Sequence, residues 1–420
     1  MKISKQTLEN GLQSVVIPQK DTPTATVMVM VNAGSRHESK KQNGISHFLE
    51  HMFFKGTENR PSSHSVSQSL DRLGAESNAF TNYEFTAYYG KVQAGKAEDI
   101  TEILADIYKN SLFPEEEIKK ESGVITEEVR MYNDLPMRLV QDVFQKHIYA
   151  NQPLGRPILG TKEHIQSFSR DDFVQYKDIH YAASKTAVIV AGGVNTDEAH
   201  QFVSKNFSDI SDQQTADPKP ADPDPDGCIR YQSKDSDQTH LVVGAPTVER
   251  KSEQLPAVEI LSTLLGRGMS SRLFRTLRDK MGVCYYVRSN VSYFTDSGLF
   301  KVSTGVTPKR LAEVVDAITK TTQAVVDEGV NEDELEKAKE FAIGNFLLGH
   351  ESTDGVARDI AKQSVLDAEI ERPQEHTQKL RSVTEANVRQ VAKSILQKGL
   401  HAAIIGPQCE KDEIEKALKM

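Results

Sequence analysis

The chain has 420 residues, a formal net charge of −9 and three cysteines. Its acidity argues against generic binding to nucleic acid or to an anionic membrane, and 26% charged with 38% hydrophobic residues is the balance of a soluble globular protein with room for two or more domains. Cys228, Cys284 and Cys409 show no CxxC spacing, which favours a reducing compartment over a disulfide framework; with no apolar leader core in MKISKQTLENGLQSVV and no run approaching the roughly 18 apolar residues of a spanning helix, a cytoplasmic location is expected.

In chain order, Asn10-Gly11 marks a tight turn ahead of a strand, and the β-branched, apolar run TATVMVMV from Thr24 predicts a buried strand. A polar loop, SRHESKKQNG, leads through Gly44 into a helix around HFLEH, residues 47–51, expected to end near Lys55-Gly56. Pro61 opens a further helix, closed by Gly74. SNAFTNYEFTAYYGKV, from Ser77, alternates aromatic and polar residues and predicts strand, and AEDITEILADIYKNSLF predicts an amphipathic helix. Pro114 starts the helix that carries Glu121 and Glu128, and another helix runs from about Met137 to Tyr149. After a Pro/Gly-rich loop come a helix (SRDDFVQYKDIHY), a buried strand (KTAVIVAGGV) and a helix capped by Asn195 or Thr196.

Residues 209–227, DISDQQTADPKPADPDPDG, are acidic and Pro-rich and bury too little to fold, so they read as an extended linker. The predicted division is therefore 1–208, a linker at 209–227, and 228–420. The second half echoes the first: VNEDELEKAKEFAIGNFLLGHE lines up with FPEEEIKKESGVITEEVRMYND at an offset of 217, which sets Ala338 opposite Glu121 and Asn345 opposite Glu128. Each half reads as an α+β unit, a mostly antiparallel sheet packed with helices, so the fold class predicted is α+β with two homologous domains.

HFLEH places His47 and His51 four residues apart on one helical face, with Glu50 beside them. Two imidazoles at that spacing can grip one zinc ion, and the carboxylate can take a proton from a water at the metal. The order H-x-x-E-H is the inverzincin signature. A third ligand must come from elsewhere, and Glu121 and Glu128, seven apart, share a helical face, with Glu127 turned away.

HFLEH followed by ESGVITEEVRMYND resembles the pitrilysin and mitochondrial processing peptidase family of zinc proteases. The resemblance implies that Glu128 is the third zinc ligand, that Glu121 supports a ligand from behind, and that Glu50 is the general base. It extends to SNAFTNYEFTAYY, which implies a substrate-pairing edge strand with Asn78 and Ala79 at the peptide, and to GRGMSSRLFRTLRDKMGVCYYVRSN, which implies that Arg278 and Tyr285 contact the substrate carbonyl. A permanent cation and a phenol donor suit developing negative charge. Arg272, Arg275 and Arg288 compete for the same role, and Tyr286 faces away from Tyr285 on a strand starting at Val283. The resemblance further implies two homologous domains per chain, facing chains that close like a clam shell, and hence a homodimer with composite active sites.

The reaction expected is zinc-dependent endoproteolysis of extended peptides or unfolded segments. The competing class is a non-catalytic peptide-binding or scaffold subunit of a peptidase complex, which degenerate ligands would mark. No G-x-S-x-G supports a serine hydrolase, Gly266 and Gly268 read as a turn, Cys284 as a buried strand residue, and the ten histidines outside HFLEH as structural or solvated.

Overall fold

The structure is a computed structural model, and it describes residues 1–212 and 217–419; part of the expected linker, residues 213–216, lies outside the described residues. The first half contains β1 (Ser4–Thr7), β2 (Gln13–Pro18), β3 (Thr24–Val31), α1 (Ile45–Met52), α2 (Ser63–Arg72), β4 (Glu76–Thr81), β5 (Thr86–Gln93), α3 (Ala97–Lys109), α4 (Glu115–Asn133), α5 (Pro136–Tyr149), α6 (Lys162–Ile165), α7 (Arg170–His180), β6 (Thr186–Gly192) and α8 (Thr196–Phe207). The second half contains β7 (Ile229–Ser233), β8 (Thr239–Thr247), α9 (Leu255–Gly266), a π-helix at Phe274–Lys280, β9 (Cys284–Tyr293), β10 (Gly298–Val306), α10 (Leu311–Asp327), α11 (Glu332–Gly349), α12 (Thr353–Leu366), α13 (Pro373–Ser382), α14 (Glu385–Gln397), β11 (His401–Gly406) and α15 (Lys411–Leu418).

The two sheets share one plan. The first runs β1-β2-β6-β3-β5-β4 and the second β7-β11-β8-β10-β9. In each, one pair is parallel (β2 with β6, β7 with β11) and the others are antiparallel. The α+β architecture with mostly antiparallel sheets is therefore present in both halves.

Packing groups the chain into two compact units that are not its contiguous halves. One comprises residues 1–129, 157–219 and 348–372, the other 130–156, 220–347 and 373–420. The predicted division at 209–227 is thus crossed twice, by α5 and by α12. These two helices occupy equivalent places: Pro136 and Tyr149 lie the same 217 positions before Thr353 and Leu366. The physical reason lies in the strands. The first sheet is apolar on both faces, so Met28, Met30, Ile17 and Ile189 need cover beyond that given by α1 and α3. Val356, Ala357, Ile360 and Ala361 of α12 supply it. In the second unit α5 does the same work, with the Phe144 ring against the backbone of Gly244 and the Tyr149 hydroxyl 2.7 Å from Ser297 Oγ. Two-sided burial also explains why TATVMVMV lacks polar alternation.

Two local expectations change. SNAFTNYEFTAYYGKV is a hairpin, not one strand: Asn82 accepts from the Tyr83 N–H at 2.7 Å and donates its own N–H to Phe85 O at 2.8 Å, turning the chain between β4 and β5. β4 is consequently the outermost strand of its sheet. The helix expected at SSRLFRTLRDK is π-wound over Phe274–Lys280, and the strand after it begins at Cys284 rather than Val283. Among the described residues, no helix is long and apolar enough to cross a membrane.

Candidate metal centre

α1 is built into the core before it is built for chemistry. Ile45, Phe48, Leu49 and Met52 are buried, and Phe48 meets the rings of Phe168 and Phe173. Gly44, with φ +100°, starts the helix, and a Cβ there would come within 2.8 Å of the Gly160 and Leu159 backbone, so only glycine fits. The free N–H groups of this first turn are met by Glu38. Its carboxylate accepts from Gly44 N and Ser46 N, both at 2.9 Å, and from Asn43 Nδ2 at 3.0 Å. Burial pushes the Glu38 carboxyl up to about 7 despite these donors.

With the helix so fixed, His47 and His51 stand side by side, ring centroids 4.7 Å apart. Glu128 reaches them from α4: its Oε2 lies 3.7 Å from His47 Nε2 and 3.8 Å from His51 Nε2. One donor atom from each of the three falls within 4.8 Å of the others. Ligands about 2.0–2.2 Å from a tetrahedral zinc stand about 3.3–3.6 Å apart, so the spacing and the two-imidazole, one-carboxylate donor set fit zinc with a fourth position open. Glu127, its neighbour in sequence, is not in this group.

Glu121 and Glu128, which spacing alone did not tell apart, stand in different places. Glu121 Oε1 lies 2.9 Å from His51 Nδ1, and because a carboxylate only accepts, the proton sits on Nδ1 and the Nε2 lone pair turns toward Glu128. The other oxygen, Oε2, pairs with Lys55 Nζ at 2.6 Å. Burial opposes ionisation of Glu121, but the His51 and Lys55 hydrogen bonds outweigh it and hold its carboxyl below the usual range. The two imidazoles diverge. Burial, with His51 alongside, lowers His47 to about 3. Burial also opposes a charged His51, yet its bond to Glu121 and the nearby acids Glu50 and Glu128 raise it. His47 Nδ1 is buried with no partner among the described residues.

Glu50 projects from the same helix, and Thr81 Oγ1 on β4 donates to its Oε2 at 2.6 Å. Burial raises the Glu50 carboxyl, and the charge of Glu128 adds to the rise. Burial likewise raises Glu128.

The remaining predicted residues fall on β4 and in the second unit. Asn78 and Ala79 are on edge strand β4, where the Asn78 side chain accepts from the Ala79 N–H at 2.8 Å. Arg278 and Tyr285 meet each other. The Arg278 guanidinium lies over the Tyr285 ring at 5.0 Å and over Phe274 at 5.2 Å, and its Nη1 donates to the Tyr285 carbonyl. Tyr285 is 77% exposed, while Tyr286 turns away to bond His240 Nδ1 at 3.1 Å. Arg272 is committed to a two-point pair with Glu334. Cys284 is half-buried, because β9 is an outermost strand. In the second half Ala338 is buried in the core and Asn345 bonds back to Phe341 O, so the positions equivalent to Glu121 and Glu128 have no acid.

The family model described as Insulinase (Peptidase family M16) matches residues 14–162, and that described as Peptidase M16 inactive domain matches residues 167–341. A Bacillus subtilis protein named uncharacterized zinc protease YmxG is 34% identical, over 96% of this chain and 98% of its own length. The chain belongs to peptidase family M16. A Rickettsia felis protein named uncharacterized zinc protease is 33% identical over 95% of this chain and 96% of its own length. In fold, the M16 chain matches a protease from Helicobacter pylori with TM-score 0.89 at 24% identity, covering 97% of this chain and 99% of that one. It matches a peptidase M16 inactive domain from Pseudomonas fluorescens with TM-score 0.90 at 16% identity, covering 97% and 98%. The chain is thus similar to pitrilysin-type zinc proteases along nearly its whole length.

Two residues at this M16 site escaped sequence reading. Lys55 follows the end of α1, and Thr81 is separated from Glu50 by 31 residues. The only signal for Thr81 is that it follows Ala79 by two on a strand, and that has meaning only once β4 is known to border α1.

Proposed function

We propose that this M16 protein is a zinc-dependent endopeptidase acting on extended peptides or unfolded segments. The observation that carries the reading is the convergence of His47 Nε2, His51 Nε2 and Glu128 Oε2, with Glu50 on the same helix. His47, His51 and Glu128 would hold the zinc, which would supply a Lewis acid for the scissile carbonyl and for a water nucleophile at neutral pH. Glu50, whose raised pKa suits a group that both takes and returns a proton, removes one from that water and delivers it to the leaving amine. Glu121 holds His51 in the tautomer that presents Nε2. The main chain of edge strand β4 around Asn78 and Ala79 pairs with an extended substrate, which fixes the peptide with little demand on its sequence.

Arg278 and Tyr285 steady the carbonyl oxygen as it gains charge. Their exposure and their mutual stacking support a ready-formed anion contact, which a second copy of the chain receives in a homodimer with composite sites. The first half is the catalytic domain, and residues 228–420 form the homologous domain without zinc ligands. The free thiols Cys228, Cys284 and Cys409 support a cytoplasmic location.

The deciding experiment measures bound zinc and cleavage of an unstructured peptide, with Glu50→Gln as control. Stoichiometric zinc and cleavage abolished by Glu50→Gln are expected. Peptide binding with no cleavage under any loading would make the protein a scaffold subunit. Mixing Glu50→Gln and Arg278→Ala chains, each inactive alone, restores an intact site if sites are shared between copies; no recovery after verified subunit exchange rejects the composite arrangement.

A further inference from the structure

We infer that Thr81 is a positioning residue for Glu50, aiming one carboxylate oxygen at the reacting water by holding the other. The inference rests on the endopeptidase reading and adds a residue to it. A glutamate carboxylate turns about a soft, roughly two-fold terminal torsion, so a helix that fixes Cα does not fix where the oxygens point. Something must pin that rotation if proton transfer is to need no search.

The candidates around Glu50 are few. Tyr88 and Tyr181 lie near enough for its charge to act on both, but their hydroxyls are 3.0 Å apart and engage each other. Thr81 Oγ1 donates to Glu50 Oε2 at 2.6 Å, a short, charge-assisted bond. This occupies Oε2 and leaves Oε1 for chemistry.

The geometry is built in. On β4, Ala79 packs against the core shared with α1, whereas Phe80 packs against the opposite core shared with α12. Thr81, two residues past Ala79, therefore faces α1. It pairs in register with Thr86 of β5, next to the turn that Asn82 ties, so its backbone is anchored. A β-branched side chain in a strand has few rotamers, which gives the hydroxyl a defined direction.

The test compares Thr81→Val, which keeps shape and branching but removes the donor, with Thr81→Ser, which keeps the donor. Bound zinc, thermal midpoint, kcat and KM are measured on the full chain. Thr81→Val is expected to lower kcat about 10- to 100-fold, the scale of a hydrogen bond to a charged group, with KM and zinc content unchanged. Thr81→Ser is expected to restore most of kcat. In a Glu50→Gln background, Thr81→Val should add nothing further, because the two groups act as one unit. Full kcat in Thr81→Val overturns the inference, as does a loss that follows zinc or KM, or a serine variant as slow as the valine one. Undiminished cleavage by Glu50→Gln alone would instead sink the base assignment itself, whatever Thr81 does.

Discussion

Lys55 Nζ lies 2.6 Å from Glu121 Oε2, and the other oxygen of that carboxylate is the one that holds His51. The ammonium keeps Glu121 ionised, and an ionised Glu121 keeps the proton on His51 Nδ1. Glu121→Gln is expected to weaken zinc binding about 10- to 100-fold, the usual cost of losing a partner behind a ligand. Lys55→Met should weaken it less, since the His51 bond survives. Competition with a chelator of known affinity reads both; wild-type affinity in Glu121→Gln would contradict the arrangement.

Zinc binding should release a proton near neutral pH. Burial opposes charging of His51, but Glu121, Glu50 and Glu128 raise its pKa, so in the metal-free protein it keeps its second proton to higher pH than an ordinary imidazole and must lose it to ligate. His47, lowered to about 3, is already neutral. Zinc affinity therefore rises with pH through the raised His51 value and then levels. Calorimetry in buffers of different ionisation enthalpy counts the proton, and a buffer-independent heat at pH 6.5 would count against this.

Acid should destabilise the fold through buried neutral histidines. Burial lowers His37 to about 3, with His180 and Arg36 adding, and lowers His180 and His147 each to about 4. A depressed pKa contributes stability that is present above the unfolded value of 6.5 and lost as pH falls toward the folded values. Glu38, raised to about 7, has the opposite sign: its share is present below 4.5 and lost as pH rises through 7. The four histidines lowered to about 3 or 4, His47 among them, outweigh the raised Glu38 and the smaller rises of Glu50, Glu128 and His51, so the thermal midpoint of metal-free protein should be lower at pH 5 than at pH 7. An unchanged or higher midpoint at pH 5 would show that these rings are hydrated.

Glu38→Ala removes the acceptor of Gly44 N, Ser46 N and Asn43 Nδ2 together. Buried donors left without partners cost about 1–3 kcal/mol each, so a loss of several kcal/mol is expected, with zinc affinity falling because α1 starts loosely. Thermal and denaturant unfolding with zinc titration measure both effects. A midpoint within a degree of wild type would show that water replaces the carboxylate.

Much of this was legible in the chain. HFLEH fixed the spacing of three site residues, and the offset of 217 foretold equivalent elements, down to the acids missing at Ala338 and Asn345. Helix starts such as Asn195, which accepts from Asp197 N and Glu198 N, were written in local chemistry. What local patterns could not express was contact across the fold. The β4–β5 turn hides in a run of strand-forming residues because Asn82 is its only strong signal. The π-winding that carries Arg278 had no local signal, and the contacts of Thr81 and Lys55 depend on neighbours far along the chain. The packing units were the least legible, because an acidic, Pro-rich stretch does not say which helix covers which sheet.

The exchange of α5 and α12 makes each half depend on the other. A chain ending at residue 208 would leave Met28, Met30 and Ile189 without the cover of Val356, Ile360 and Leu366, a greasy face that invites aggregation. The half without metal ligands is thus not spare. The half that holds His47, His51 and Glu128 borrows a roof from it.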